Sequence, residues 1–245
     1  MYSFQRYLKL SLRSRKDIVL SFFQPLIYLI LFGPLFVSAV TANGLSKNSA
    51  YTLYVAGLSI QIAMTMSSFA GLTLILEYRL GILERIWATP VNLSSILAGR
   101  IARDVFLTLL PIAVVFGCGC ILGIVPTFIG LLVFVFNVVM TSVAFASLSY
   151  VVAVHTKSES ILSAFFNLVL LPILLLSGIM LPLDFAPYWM RWIAQANPLW
   201  FVVRGVRTQF GNSIFTHEAL LSLIVSTLLA VITYLCAVAS LNRRR

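Results

Sequence analysis

Charged side chains are scarce in this chain of 245 residues. They make up 10% of the sequence, whereas a soluble domain carries about 25%, and 60% of the residues are hydrophobic. This composition excludes a water-soluble globule. The net charge of +10 does not indicate a nucleic-acid partner either, because the basic residues stand at the edges of apolar segments and form no patch interleaved with aromatic residues. The sequence therefore predicts an all-α integral membrane protein.

Groups that could hold nucleotides, ions or metals are also missing. No G-x-x-x-x-G-K-[ST] phosphate cradle occurs, so the chain is not expected to bind ATP in that manner. No acid falls inside a predicted span, which argues against an ion-driven carrier. The two histidines, His155 and His217, are predicted on opposite sides of the membrane, and Cys118 and Cys120 are interpreted as packing residues in preference to ligands of a soft metal. We therefore expect no enzyme activity and no cofactor in this chain.

Long apolar runs are what the sequence does contain. A helix needs about 20 residues to cross a bilayer, and the uncharged stretch from Val105 to Val154 is too long for one helix, so it must turn near Gly123 to Pro126. The predicted arrangement is a single transmembrane domain with six spans, at residues 18–41, 50–76, 105–124, 127–154, 160–182 and 219–241. Residues 1–17 are predicted to form an amphipathic interfacial helix that anchors the chain on the inner leaflet, with ligand binding as the alternative.

Lysine and arginine positions predict the orientation. Thirteen of the 17 fall on one side of this topology and four on the other, and the side richer in Lys and Arg is normally cytoplasmic. Both termini are therefore expected in the cytoplasm, with the chain as a multi-pass protein of the cytoplasmic (inner) membrane. Polar residues within the spans are interpreted as helix–helix hydrogen-bonding groups, with lining of a substrate path as the alternative: Gln24, Gln61, Asn137 and Asn167.

The cytoplasmic loop at residues 77–104 is too long to be a mere connector. We expect the helix of the second span to continue to Pro90 and to place Glu77, Gly81 and Glu84 on one face. A glycine between two acids favours close approach of another backbone. The alternative is a solvent-exposed helix face on which Arg85 offsets the charge of the two acids. A second helix is expected to start between Asn92 and Ser95 and run toward the third span. Such an element can transmit a push from a soluble partner to the spans on either side.

Two stretches resemble type-2 ABC exporter permeases, the membrane subunits of the ABC-2 transporter family that includes daunorubicin-resistance-type exporters. The first is the loop signature Glu77…Gly81…Leu83-Glu84-Arg85…Ala88-Thr89-Pro90-Val91, and the second is Leu176-Ser177-Gly178…Leu181-Pro182-Leu183 followed by Trp189, Asn197-Pro198 and Arg207. Ile82 and Arg204 depart from residues common in the family, and these departures leave the substrate class open.

The resemblance implies a set of partners. A second permease copy or a paralogue would complete a dimer, and a cytoplasmic ABC ATPase dimer would dock below and hold ATP and Mg²⁺. The helix from Glu77 to Pro90 would correspond to the coupling helix of the family. The residues assigned by this resemblance to ATPase coupling are Glu77, Gly81, Glu84, Arg85, Thr89 and Pro90.

The segment at residues 183–218 is predicted to be re-entrant on the outer side. Tyr188 to Ala196 is expected to form a short helix that Asn197-Pro198 ends, and a second short helix is expected from Leu199 to Phe210. An interfacial aromatic belt is one interpretation, and an outer gate is the other, formed by Tyr188, Trp189, Trp192, Asn197 and Pro198. The basic residues there would meet anionic groups such as lipid phosphates or act only as interfacial cations: Arg191, Arg204 and Arg207.

The expected function is outward transport of a drug, lipid or amphiphilic natural product, powered by a separate ATPase subunit, as in multidrug resistance. A permease for polysaccharide or lipid-linked glycan export is the alternative within the family. A passive channel or a membrane scaffold is the alternative from another class.

Overall fold

The structure is a computed structural model that describes residues 22–42, 44, 46–81, 93–124, 127–179, 187–208 and 216–242. The predicted interfacial helix at residues 1–17 lies outside the described residues. So do four of the residues assigned to ATPase coupling: Glu84, Arg85, Thr89 and Pro90.

All regular elements in the described ranges are helices, which we number in chain order. They are α1 (Phe22–Thr41), α2 (Lys47–Ser68), α3 (Gly71–Arg79), α4 (Leu93–Ile121), α5 (Phe128–Thr156), α6 (Glu159–Leu176), α7 (Tyr188–Gln195), α8 (Pro198–Thr208) and α9 (His217–Asn242). With α2 and α3 counted as one, six of these are long and apolar enough to cross a membrane. The prediction of a six-span all-α membrane protein is confirmed.

Several helix bounds differ from the prediction. The second span consists of two helices separated by a turn at Phe69 and Ala70, and α6 ends at Leu176 before the predicted 182. Helix α4 begins at Leu93, within the range predicted for the start of the second loop helix, but it continues without a break through the third span.

The expectation that no acid lies in a span is wrong, since the span helices contain four acids: Glu77, Asp104, Glu159 and Glu218. The helices tolerate these acids because basic side chains accompany them, as described below for the first three, while Arg204 pairs with Glu218 at 2.7 Å.

Helices α2 and α5 form the centre of the bundle. Helix α5 packs against α2, α3, α4 and α9, and α2 also packs against α1, α4 and α8. The buried face of α2 is rich in small residues, among them Ala56, Gly57, Ser59 and Ala63, which let neighbouring backbones approach closely. Helix α1 contacts this core through Tyr54 of α2, whose hydroxyl donates to the Tyr28 carbonyl at 2.7 Å. Tyr28 begins a five-residue π-helical segment within α1.

A polar contact inside the bundle joins α5 to α9. The fully buried Asn137 amide donates to Ser222 Oγ at 3.3 Å and accepts from Ser226 Oγ at 3.0 Å. The predicted helix–helix role is therefore confirmed for Asn137. Gln24 and Asn167 are exposed on the bundle exterior.

The bundle has two distinct ends. At the loop end, α3 ends and α4 begins, and the turn between α5 and α6 lies beside them, since Arg79 pairs with Glu159 at 3.0 Å. At the short-helix end lie α7, α8 and the turns that join α1 to α2 and α4 to α5. Gly123 and Asn48, one from each of these two turns, are neighbours there.

Candidate functional site

A buried ion pair joins α3 to α4 at the loop end. Glu77, in the last turn of α3, accepts a hydrogen bond from the Arg100 guanidinium on α4. Only 16% of the Glu77 side chain and 4% of the Arg100 side chain are exposed. Burying an ion is costly unless a partner compensates it, so this pairing is what allows a carboxylate to sit at the end of an apolar span.

A second ion pair lies within α4. Arg103 donates to Asp104 Oδ1 through both Nε, at 2.9 Å, and a terminal nitrogen, at 2.6 Å. The same guanidinium contacts Thr73 Oγ1 of α3 at 3.4 Å. Arg103 thus binds the Asp104 carboxylate and also contacts α3.

Tyr150 brings α5 into the same group. Its hydroxyl donates to the other carboxylate oxygen of Asp104, Oδ2, at 2.5 Å, and the Tyr150 side chain is fully buried. We call Glu77, Arg100, Arg103, Asp104 and Tyr150 the charge cluster. Its two carboxylates and two guanidiniums balance in formal charge, as ionisable groups within a membrane protein require.

The helical period explains why α4 can supply three members of the charge cluster. Residues three and four apart share a face of a helix, so Arg100, Arg103 and Asp104 all point toward α3 and α5. The sequence contained this spacing. The count of uncharged residues nevertheless predicts a cytoplasmic loop at these positions, because it starts the third span at residue 105.

A close contact between α3 and α5 fixes the direction in which α3 leaves α2. Ser149 Oγ accepts from the Gly71 backbone N–H at 2.9 Å and donates to the Ser68 carbonyl at 2.6 Å. Both groups belong to the turn where α2 passes into α3. A Cβ atom on Gly71 would lie 2.6 Å from the Ser149 carbonyl oxygen, so only glycine permits this approach.

Two exposed contacts extend the connection to the turn between α5 and α6. The Lys157 ammonium donates to the Tyr78 hydroxyl at 2.6 Å and lies 4.3 Å from the centre of the Tyr78 ring. Arg79 and Glu159 form the ion pair already noted, with side chains 60% and 41% exposed. Such solvent-accessible pairs contribute about 0–1 kcal/mol each, so the buried charge cluster dominates the connection.

The described part of the predicted ATPase-coupling set differs from the prediction. Helix α3 ends at Arg79, and Gly81 follows it with a positive φ of 68°. The expectation of one helix running through Gly81 is therefore wrong. Gly81 is instead the left-handed residue that commonly ends a helix, and no described residue lies within 4 Å of the place where its Cβ would be. Glu77 points into the bundle, where Arg100 occupies its carboxylate, so it is not presented to a partner at the surface.

The two predicted short helices are present at the other end, as α7 and α8. Among the predicted outer-gate residues, Tyr188, Trp189 and Trp192 are 80%, 65% and 71% exposed. Asn197 is buried and joins α8 to α6. Its side-chain NH₂ donates at 2.9 Å to the carbonyl of Ile173, a residue in the last turn of α6. Its side-chain oxygen accepts from the Leu199 N–H at 3.0 Å.

Pro198 is the first residue of α8, a position where its missing N–H costs nothing. The Asn197-Pro198 pair therefore ends one helix and begins the next, as the sequence predicted. This pair and the exposed aromatic residues of α7 lie at the short-helix end of the bundle. The charge cluster lies at the opposite end, the loop end.

A family model described as ABC-2 type transporter matches residues 1–210. A protein of Cyanophora paradoxa that is named as a transport permease, ycf38, is 29% identical over 192 residues, which cover 78% of this chain and 66% of that protein. The daunorubicin resistance ABC transporter permease protein DrrB1 of Streptomyces coeruleorubidus is 30% identical over 192 residues, covering 75% and 63%.

A third relative, from Mycobacterium tuberculosis, is named as a doxorubicin resistance ABC transporter permease, DrrC. It is 25% identical over 156 residues, covering 61% of this chain and 55% of its own length. The chain thus spans between 55% and 66% of the length of these relatives.

Proposed function

The chain belongs to the ABC-2 type transporter family, and on that premise we propose that it is the membrane permease subunit of an exporter driven by a separate ABC ATPase. The permease provides the path through the membrane. The partner ATPase binds ATP and Mg²⁺ and supplies the energy, since this sequence has no phosphate cradle of its own.

The proposed cargo is an amphiphilic drug, lipid or natural product that moves outward. The names of two relatives, which refer to daunorubicin and doxorubicin resistance, support this class of cargo. Daunorubicin is therefore the first probe to use.

The charge cluster is the observation that carries the proposed mechanism. Residues 82–92 connect α3 to α4 in the chain, and Glu84, Arg85, Thr89 and Pro90 within them are proposed to contact the ATPase, together with Gly81 at the end of α3. The cluster ties both flanking helices to each other and to α5. A displacement of residues 82–92 by the ATPase would then move α3, α4 and α5 together.

This geometry changes the role that we propose for Glu77. Because its carboxylate is occupied by Arg100 inside the bundle, Glu77 acts as an internal anchor and does not itself bind the ATPase. The contact residues are then those that follow α3 in the chain. Removal of Glu77 should weaken transmission of the movement and leave ATPase docking intact.

The remaining parts of the assembly follow from this role. A second permease, identical or paralogous, completes the pathway in the inner membrane, and the loop end faces the cytoplasm, as the excess of Lys and Arg on that side supports. The exposed aromatic residues of α7, with Asn197 and Pro198 at its junction to α8, are proposed to form the outer gate.

The test begins with purification of the chain from its native host and identification of the ATPase and any second permease that accompany it. The complex is then reconstituted into vesicles, and ATP-dependent movement of daunorubicin is followed by its fluorescence. We expect transport that requires ATP and that stops when the phosphate-cradle lysine of the ATPase is replaced. Movement that persists with this inactive partner, or a chain that copurifies with no ATPase, would identify a passive channel or scaffold instead.

A further inference from the structure

A cavity of about 200 Å³ lies between α1 and α2, and four aromatic residues line it: Tyr28, Phe32, Phe36 and Tyr54. The amide side chain of Gln61 lines it as well. On the premise of the permease function proposed above, we propose that this aromatic cavity binds one end of the cargo, an aromatic ring that carries a hydroxyl or carbonyl group.

The Gln61 side chain is a buried polar group that faces the cavity. Only 8% of Gln61 is exposed, and it lies about 21 Å along α2 from Lys47, deep within the span. Within the described ranges its amide makes no hydrogen bond, since the bond that Thr65 donates goes to the backbone carbonyl of Gln61. A buried amide without a partner is costly, so a ligand that offers a donor or an acceptor here would stabilise the site.

This placement bears on the two roles that the sequence allows for Gln61. Asn137 bonds to serines of a neighbouring helix, and the amide of Gln61 bonds to no helix among the described residues. Lining of a substrate path is therefore the interpretation that the geometry favours for Gln61.

The helical period directs the lining side chains to one space. On α2, Tyr54, Leu58 and Gln61 recur at intervals of four and three residues and so share one face. The lining residues of α1 also recur at intervals of three and four: Tyr28, Phe32, Leu35, Phe36 and Ala39.

Two aromatic pairs form the walls. Tyr28 and Phe32 stack with their ring centres 5.4 Å apart, and the Phe36 ring lies 5.2 Å from that of Tyr54 across the helix interface. The Tyr54 ring is held in place, because its hydroxyl donates to the Tyr28 carbonyl and a Cβ on Gly33 would lie 3.6 Å from it. Aromatic rings attract one another at centre distances of about 4.5–7 Å. These walls therefore favour a flat aromatic guest over a flexible acyl chain.

Helix α1 departs from regular α-helix where it lines the cavity. Tyr28–Phe32 is a π-helical segment, a rare conformation that is frequent at functional sites. Phe32 and Leu35 on this side are exposed, whereas Leu58 and Ile179 at the back of the cavity are buried. A ligand dissolved in the bilayer can therefore enter past α1.

The volume limits what the cavity can hold. An apolar cavity of about 150 Å³ is large enough to bind benzene, and sites for drug-sized molecules measure about 300–1,000 Å³. About 200 Å³ thus suits one aromatic ring or a fused pair, with the rest of an amphiphilic molecule outside.

The test uses the purified full-length chain without its ATPase, so it does not depend on transport. Naphthol and naphthalene are the probes, since they share one fused ring system and differ by a hydroxyl group. Equilibrium dialysis against the same detergent micelles without protein measures the saturable binding of each. We expect wild type to bind naphthol about three- to tenfold more tightly than naphthalene, the range for one hydrogen bond. Daunorubicin should displace the bound naphthol.

Gln61→Leu is the test variant, and Gln24→Leu is the control. The substitution is the same in both, but Gln24 is exposed on the exterior of α1. Gln61→Leu should bind the two probes alike, with its affinity for naphthalene unchanged, and Gln24→Leu should keep the wild-type preference. Thermal melting checks that both variants are folded.

Two results would overturn the proposal. Equal affinity of the wild-type chain for both probes would identify an apolar groove that suits an acyl chain, and a preference for naphthol that survives in folded Gln61→Leu would exclude Gln61 as its source. Bound naphthol that daunorubicin does not displace would overturn the assignment of the cavity to this cargo. Failure of the reconstituted complex to transport daunorubicin, with the naphthol preference intact, would count against the proposed function alone.

Discussion

Glu77 and Arg100 pair across the junction between α3 and α4, and both side chains are largely buried although they stand at the ends of apolar membrane helices. This pair belongs to the charge cluster that also holds Arg103, Asp104 and Tyr150. The cluster connects the two helices that flank residues 82–92 with the central helix α5. The proposed mechanism depends on that connection.

The buried pair should matter more for stability than the exposed one beside it. Replacing Arg100 with glutamine leaves Glu77 charged, buried and without its ion-pair partner, and this typically costs about 3–5 kcal/mol. Arg79→Gln removes the exposed partner of Glu159 and should cost about 1 kcal/mol or less. The measurement is thermal unfolding of both purified variants in one detergent.

The double variant Glu77→Gln/Arg100→Gln tests whether Glu77 and Arg100 stabilise the fold through each other. Because it removes both charges, it should be less destabilised than the sum of the two single variants. Additive losses would show that the two side chains do not interact, contrary to the structure.

The contact between Gly71 and Ser149 should not tolerate a methyl group. Gly71→Ala places Cβ 2.6 Å from the Ser149 carbonyl oxygen, so α3 must shift from α5 at a cost of about 1–3 kcal/mol. Gly99→Ala is the matched control, since Gly99 is a helical glycine and, in the part of the chain that the structure describes, no atom comes within 4 Å of its Cβ position. Alanine is the better helix former by about 1 kcal/mol, so the control should be unchanged or stabilised. Equal melting temperatures for the two variants would contradict the close packing of α3 on α5.

The polar contact between α5 and α9 should be weaker than the charge cluster. Replacing Asn137 with leucine removes its bonds to Ser222 and Ser226, but both serines also donate to carbonyls of their own helix. Interhelical hydrogen bonds in membrane proteins average about 0.6 kcal/mol and reach about 1.7 kcal/mol. We therefore expect Asn137→Leu to lose less stability than Arg100→Gln when both are unfolded under the same conditions.

Much of the fold could be predicted from the sequence, because apolar length and Gly-Pro breaks are local signals. The six spans, the tight turn between the third and fourth, and the two short helices joined at Asn197-Pro198 all follow from such signals. The break between α2 and α3 could not be predicted in this way. It depends on Ser149, which lies 78 residues from Gly71 in the chain.

The charge cluster could not be predicted from local signals for a related reason. Counting uncharged residues places Arg100, Arg103 and Asp104 outside the membrane helices, since one charge is enough to end an apolar run. Their partners, Glu77 and Tyr150, come from other helices, and only the fold brings the opposite charges together. Arginine and aspartate at intervals of three and four residues beside an apolar run were the available signal.

The central claim is that the charge cluster transmits the action of the ATPase to the membrane helices. The most direct test measures daunorubicin molecules transported per ATP hydrolysed by the reconstituted complex, with wild type, Glu77→Gln and the exposed-pair control Arg79→Gln compared. We predict that Glu77→Gln still binds the ATPase but has a ratio lowered several-fold, while Arg79→Gln keeps the wild-type ratio. A wild-type ratio in Glu77→Gln would contradict the account.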